Sequence, residues 1–280
     1  MTGYLVYDVF TETPFGGNPL AVIPDATGLN EGDLQKIARE FNFSETTFVY
    51  PPNDPVHSKR VRIFTPSQEV PFAGHPTIGT AIALNELGMG NDLILELGVG
   101  PIPCRVDDGR AEFRTEVPLE TWDGPSVDLV ATCIGLDPSA VRTDRHPPVI
   151  ASVGLAFAIA ELSDRDALSA ARMHEAPFHD FQPHWPTSTV FDLLVYVRDG
   201  NQIESRVFAP LDGVPEDPAT GSANAALAAY LAHLDSTVVN LNVSQGVDMG
   251  RPSVISASAD ETAVTIGGAA RKVMEGRLTL

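Results

Sequence analysis

His75 and Asp217 are titratable residues of different type that occupy equivalent places in a repeated stretch of the chain. Residues 62–84, RIFTPSQEVPFAGHPTIGTAIAL, align with residues 206–228, RVFAPLDGVPEDPATGSANAALA, at Arg62/Arg206, Phe64/Phe208, Pro66/Pro210 and Pro71/Pro215. After a small difference in loop length, HPTIGTA falls over DPATGSA. Each ionisable residue stands before a proline and an expected helix. An imidazole and a carboxylate presented in this way could bind the polar groups of one small molecule or move a proton on it. Asp217 also has a purely structural reading, because aspartate at N-cap with Pro218 at N1 is a favoured start for a helix. Taken alone, the local sequence leaves both readings of Asp217 open. Histidine is not a favoured cap, so His75 at the matching place points toward a site shared by two pseudo-symmetric halves.

The expected helix starts supply a second kind of group. Backbone N–H groups of Thr77, Ile78 and Gly79, and of Ala219, Thr220 and Gly221, would face a cleft between the halves with the positive helix ends behind them. A carboxylate or a developing enolate could be held there without any lysine. Gly74, Gly79 and Gly221 would let backbone approach a ligand closely, or would serve only tight turns and helix packing.

Other chemistries find less support. His174, His179 and His184 recur every five residues, which is neither the i, i+4 helical spacing nor a zinc pattern, so no metal site is expected. Ser222 lies in TGSAN rather than G-x-S-x-G, against a hydrolase nucleophile. No GxGxxG follows a strand and no GxxxxGK[ST] occurs, so neither a nicotinamide nor a nucleoside triphosphate site is indicated. Cys104 and Cys133 are too few for a disulfide framework or a cysteine zinc site and read as buried, inert thiols.

The elements that would position these groups are mostly short strands. Alternating runs at Tyr4–Phe10, Leu20–Ile23, Thr46–Tyr50, Val61–Thr65, Leu93–Leu97 and Ile102–Val106 are punctuated by Gly, Pro and Asn. Three helices are expected, over Glu31–Phe41, Thr77–Leu87 and Gly221–Leu234. The first has one apolar face, made by Leu34, Ile37, Ala38 and Phe41. The other two carry small or apolar residues on nearly every side, the composition of a helix surrounded by protein. The fold class expected is therefore α+β, with two pseudo-symmetric domains, each a mainly antiparallel, barrel-like sheet around a central buried helix. The strands after the helices correspond as well, LILELGVG and IPCRVDDGRAEFRTEV matching VNLNVSQGV and PSVISASADETAVTIGG.

The chain has 280 residues, a length that suggests two domains of about 140 residues each. A boundary is expected around Pro118–Pro125, where Trp122-Asp123-Gly124 signals a turn, giving domains over 1–118 and 119–280. The C-terminal strand, about 270–280, is a candidate to complete the first domain. Residues 172–188, RMHEAPFHDFQPHWPTS, read as a Pro- and His-rich loop.

Net charge is −19 and lysine occurs only at 36, 59 and 272, so nucleic acid is not an expected partner. The amino terminus lacks a basic n-region and enters a strand pattern at once, unlike a signal peptide. The most apolar segment, Val149–Leu162, is about 14 residues, short of the roughly 18 needed to cross a bilayer. A soluble, cytoplasmic protein with no membrane contact is expected.

Several segments resemble the PhzF-like (phenazine biosynthesis) isomerases, members of the diaminopimelate-epimerase-like fold. They are DVFTETPFGGNPLAV at 8–22, IAREFNFSETTFV at 37–49, RIFTP and VPFAGHPTIGTA within 62–81, EDPATGSA at 216–223 and QGVDMGRPS at 245–253. They run in family order along the chain. The resemblance implies a homodimer, a small carboxylate substrate bound between similar domains, and catalysis without metal or organic cofactor. It implies isomerisation by acid/base proton transfer on a small cyclic amino acid or related carboxylate, as with trans-2,3-dihydro-3-hydroxyanthranilate. Glu45, which as an isolated residue reads as a solvated loop glutamate, becomes by this resemblance the acid/base group. His75 and Asp217 assist it and bind polar groups, while Gly74, Thr77, Gly221 and Ser222 hold the substrate at the helix starts. The related epimerases use paired cysteines, and the corresponding positions here carry no thiol. The alternatives are a catalytically silent small-acid binding protein on the same scaffold, or an epimerase of unknown substrate.

Overall fold

Two helices with almost no polar side organise the chain, because a helix apolar on all sides has to be enclosed by other elements. The structure, a computed structural model, describes residues 2–280. The chain divides into two compact units, residues 1–114 with 265–280, and residues 115–264.

The first unit contains β1 (Gly3–Val9), β2 (Asn18–Ile23), α1 (Glu31–Phe41), β3 (Glu45–Tyr50), β4 (Lys59–Phe64), β5 (Glu69–Val70), α2 (Gly74–Leu84), β6 (Asp92–Leu97), β7 (Gly100–Asp107) and β8 (Arg110–Thr115). The second contains β9 (Glu120–Asp123), α3 (Val127–Ile134), β10 (Val149–Ser152), β11 (Ala156–Glu161), α4 (Arg165–Ala170), α5 (Ala176–Phe181), β12 (Leu193–Asp199), β13 (Gln202–Ala209), β14 (Val214–Asp217), α6 (Gly221–Asp235), β15 (Val239–Gln245) and β16 (Ser253–Ala259). The last strand, β17 (Val264–Arg277), returns to the first unit.

In the first unit β17 pairs with both β1 and β8, and this closes β1, β2, β3, β4, β6, β7, β8 and β17 into a barrel of eight strands. Closure removes the exposed strand edges that would otherwise template aggregation. All eleven residues of α2 are buried inside the sheet. Gly79 permits the close fit, since a Cβ there would lie 2.6 Å from a Leu20 methyl and 2.7 Å from a Val9 methyl.

The second unit repeats the pairing logic. The parallel pairs β2–β3 and β4–β6 recur as β11–β12 and β13–β15, and the antiparallel pairs β3–β4 and β4–β5 recur as β12–β13 and β13–β14. Helix α6 is buried from Gly221 to Ala232 except at Ser222, and it packs on β10, β11, β15 and β16. The apolar run at 149–162 is the β10–β11 hairpin. Among the described residues no helix is long and apolar enough to cross a membrane.

Three local expectations are corrected. Trp122 and Asp123, read as a turn, belong to β9 and pair with Ile150 and Val149 of β10. Gly124 is required instead by close approach, since a Cβ would meet the Pro148 carbonyl at 2.3 Å. Part of 172–188 is helical, because Phe178 anchors α5 in the core formed with Trp185 and Phe191. Helix α2 begins at Gly74 rather than Thr77, so His75 and Pro76 lie inside its first turn. Proline is tolerated there because that turn's N–H groups have no helical acceptor.

Candidate functional site

Glu45 opens β3 opposite Leu20 of β2, and β3 packs against α2. This brings its carboxylate to the first turn of α2, where Glu45 Oε2 is 3.0 Å from His75 Nδ1. The side chains are 17% and 4% exposed, so the pair is largely withdrawn from water. Despite the short distance, Oε2 is enclosed and accepts no aligned hydrogen bond. Gly74 is the first residue of α2 and is buried. Thr77 is fully buried and its hydroxyl donates to the Ala73 carbonyl at 2.7 Å, while its N–H also bonds within the helix. The N–H groups of Thr77, Ile78 and Gly79 therefore belong to the α2 hydrogen-bond ladder, and those opening the helix are Gly74 and His75.

Asp217 ends β14, opposite Val207 of β13. It is not the cap of α6, because the N-cap position is Thr220 and the helix starts at Gly221. Instead the Thr220 hydroxyl donates to Asp217 Oδ2 at 2.5 Å. The loop between them is braced by the fully buried Gln245 of β15. Its Nε2 donates to the Asp217 carbonyl at 2.8 Å and to the Thr220 hydroxyl at 2.9 Å. Its Oε1 accepts from the Thr220 N–H at 3.2 Å and from Asn224 Nδ2 at 2.8 Å. The Ser253 hydroxyl adds a bond to the Pro218 carbonyl at 2.8 Å. At Gly246, with φ +73°, a Cβ would strike the Pro218 and Arg251 carbonyls. The QGVDMGRPS segment thus serves as the support beneath EDPATG, a role its residue types alone do not disclose.

Gly221 and Ser222 open α6, so their N–H groups have no acceptor within the helix. Ser222 stays partly exposed where its neighbours are buried, which suits contact with a small molecule.

The sequence repeat has a structural counterpart in each unit. Arg62 stacks over Phe64 and Arg206 over Phe208, both at 5.1 Å from the ring centre. Each guanidinium also forks onto a carboxylate of the next strand, Arg62 on Glu69 at 2.7 Å and Arg206 on Glu216 at 2.8 Å. Arg206 further donates to the Leu168 and Ala171 carbonyls at 2.9 Å.

The thiols lie away from these residues in sequence and are chemically quiet. Burial pushes the Cys104 and Cys133 thiols up to about 12, so thiolate is scarce at neutral pH. Among the described residues no group of His, Cys, Asp and Glu is arranged to hold a metal ion. His179 instead approaches Glu175 at 3.2 Å.

Two α+β units, each wrapping a mainly antiparallel sheet around a buried helix, define the diaminopimelate-epimerase-like fold. The family model described as phenazine biosynthesis-like protein matches residues 7–276. An uncharacterized isomerase of Mesorhizobium japonicum is 39% identical, with 98% of each chain covered. The trans-2,3-dihydro-3-hydroxyanthranilate isomerase of Pseudomonas aeruginosa is 36% identical, with 100% of each covered. A crystal structure of the Bacillus anthracis phenazine biosynthesis protein, PhzF family, superimposes with TM-score 0.89 at 26% identity, over 100% of this chain and 99% of that one. The chain belongs to the PhzC-PhzF, phenazine biosynthesis-like family. It is an isomerase.

Proposed function

We propose that the protein isomerises a small cyclic amino acid or related carboxylate by proton transfer, with Glu45 as the acid/base group and no metal or organic cofactor. The observation that carries this reading is the withdrawn Glu45–His75 pair, 3.0 Å apart, with a buried carboxylate oxygen that accepts no aligned hydrogen bond from the protein. A proton on carbon beside an extended π-system can be taken by such a carboxylate and returned elsewhere on the delocalised system, so one base is sufficient. His75 holds and polarises substrate near Glu45. Asp217 and Ser222 bind substrate polar groups, and the opening N–H groups of α2 and α6 favour negative charge. Gly74, Thr77 and Gly221 shape those helix starts. The similarity to trans-2,3-dihydro-3-hydroxyanthranilate isomerase supports that compound, or a close relative, as substrate.

The same family likeness supports a homodimer of the 29.9 kDa chain, which sedimentation equilibrium would test against the monomer mass. The activity is tested by incubating dihydro-hydroxyanthranilate and related cyclic amino acids in deuterated water and following deuterium entry by NMR. Exchange of a ring hydrogen by wild type and its loss in Glu45→Gln support the reading. Equal exchange by both proteins removes Glu45 from its role, and exchange by neither favours a silent binding protein.

A further inference from the structure

Asp192, just before β12, is only 9% exposed, and its Oδ1 is enclosed with no hydrogen-bond partner among the described residues. Leaving a buried carboxyl unmatched costs folding free energy, so such a group marks a place where a ligand can supply the missing partner. Strand register shows where it points. Leu194 of β12 stands opposite Val207 of β13, and Val207 stands opposite Asp217 of β14. The Asp192 carbonyl continues the ladder by accepting from the Ala158 N–H at 2.9 Å. Cross-strand partners share a face, as do residues two apart, so Asp192, Leu194, Val207 and Asp217 all project from one side of the sheet. That side is the one facing α6, because Ser205, two residues before Val207, has its hydroxyl 3.4 Å from Asn224 Oδ1 of that helix. The charges that reach Asp192 are Asp212, in the turn after β13, and Asp217. Burial first, and then these two neighbours, hold its pKa well above the usual carboxylate range.

We propose that Asp192 is a ligand-binding residue, forming with Asp217 an acidic subsite on the α6 side of the sheet that takes a protonated amino group. The inference rests on the isomerase reading, which places substrate at Asp217, and deepens it by naming what selects an amino-bearing carboxylate over its unsubstituted counterpart. When an ammonium group enters, the Asp192 proton leaves to solvent and the resulting carboxylate accepts hydrogen bonds from the ammonium. No bond to carbon changes in this step.

The test uses the full-length protein and isothermal titration calorimetry with cis-2-aminocyclohexanecarboxylate and cyclohexanecarboxylate. Wild type binds the amino probe roughly tenfold or more tightly than the plain acid, the scale of a charge-assisted hydrogen bond. In Asp192→Asn that preference falls below about twofold while binding of the plain acid is retained. Titration in buffers of different ionisation enthalpy shows proton release with the amino probe in wild type and none in Asp192→Asn, a signal a merely structural aspartate would not give. Asp192→Ser provides the same comparison should the asparagine variant fail to fold. An undiminished amino preference in the variant overturns the proposal, as does a wild type that binds neither probe or both equally. Deuterium exchange separates the two claims. A wild type without exchange but with an Asp192-dependent preference sinks the isomerase reading alone, whereas exchange with an Asp192-independent preference sinks the subsite alone.

Discussion

Replacing Gln245 by methionine keeps nearly the same volume but removes the four hydrogen bonds by which this side chain fixes the 217–220 loop, leaving only the Ser253 bond to Pro218 beneath it. The wild-type side chain makes four, two as donor to the Asp217 carbonyl and the Thr220 hydroxyl, two as acceptor from the Thr220 N–H and Asn224. Gln245 and Asn224 are both fully buried, so water cannot easily replace the lost partners. Each buried group left unmatched costs about 1–3 kcal/mol, and because the four bonds form one network their loss is less than additive. Allowing that the Thr220 hydroxyl keeps its bond to Asp217, the expected destabilisation is about 3–5 kcal/mol. Chemical denaturation followed by circular dichroism measures it, and NMR exchange measures activity on the folded fraction. The variant should also lose activity, since Asp217 and the start of α6 lose their common anchor. A loss of stability below about 1 kcal/mol would refute the claim that Gln245 braces the loop.

Arg206→Lys should destabilise by about 2–3 kcal/mol, because a buried fork onto Glu216 and two carbonyl contacts cannot be reproduced by an ammonium. The equivalent Arg62→Lys should cost less than about 1 kcal/mol, since Glu31 and Glu69 are exposed, and comparable losses in denaturant melts would contradict the comparison. A raised folded-state pKa means that folded Asp192 keeps a proton which the unfolded chain releases above pH 3.8, so stability from this site falls as pH rises. Asp192→Asn should therefore gain stability over wild type as pH is raised from that value toward neutrality, and a gap that stays constant in pH-dependent melts would refute the burial argument. Native protein should leave Cys104 and Cys133 unreactive to a disulfide reagent at pH 8, with both reacting once unfolded. Rapid modification of the native protein would contradict their burial.

The repeat RxFxP was readable because it encodes the same local object twice, an arginine laid over a phenylalanine two residues on. Its carboxylate partners were not readable, since Glu69 precedes Pro71 while Glu216 follows Pro215, and pairing through the sheet does not keep sequence offset. Helices α2 and α6 announced themselves by apolar residues on all sides. The start of α6 at Gly221 is legible as well, whereas α2 starts three residues before the expected Thr77 because Pro76 lies inside its first turn. Glu45 and His75, thirty residues apart in sequence, meet at 3.0 Å through the packing of β3 on α2. No spacing rule predicts that contact, and only the family likeness singled out Glu45. Asp192 is not legible because a lone Asp carries no pattern, and Gln245, although it opens the QGVDMGRPS segment, shows its bracing role only through burial and its four hydrogen bonds. Helix α5 is not legible in the sequence, since the aromatic cluster that holds it, Phe178, Trp185 and Phe191, has no helical period.

The most direct test of the account is the wild-type and Glu45→Gln comparison in deuterated water with a cyclic amino acid substrate. A carboxylate acting as general base contributes about 10²–10⁴ in rate, so the variant should lose at least a hundredfold in ring-hydrogen exchange while its fold and substrate binding persist. Exchange in Glu45→Gln within a few-fold of wild type would contradict the assignment of proton transfer to Glu45.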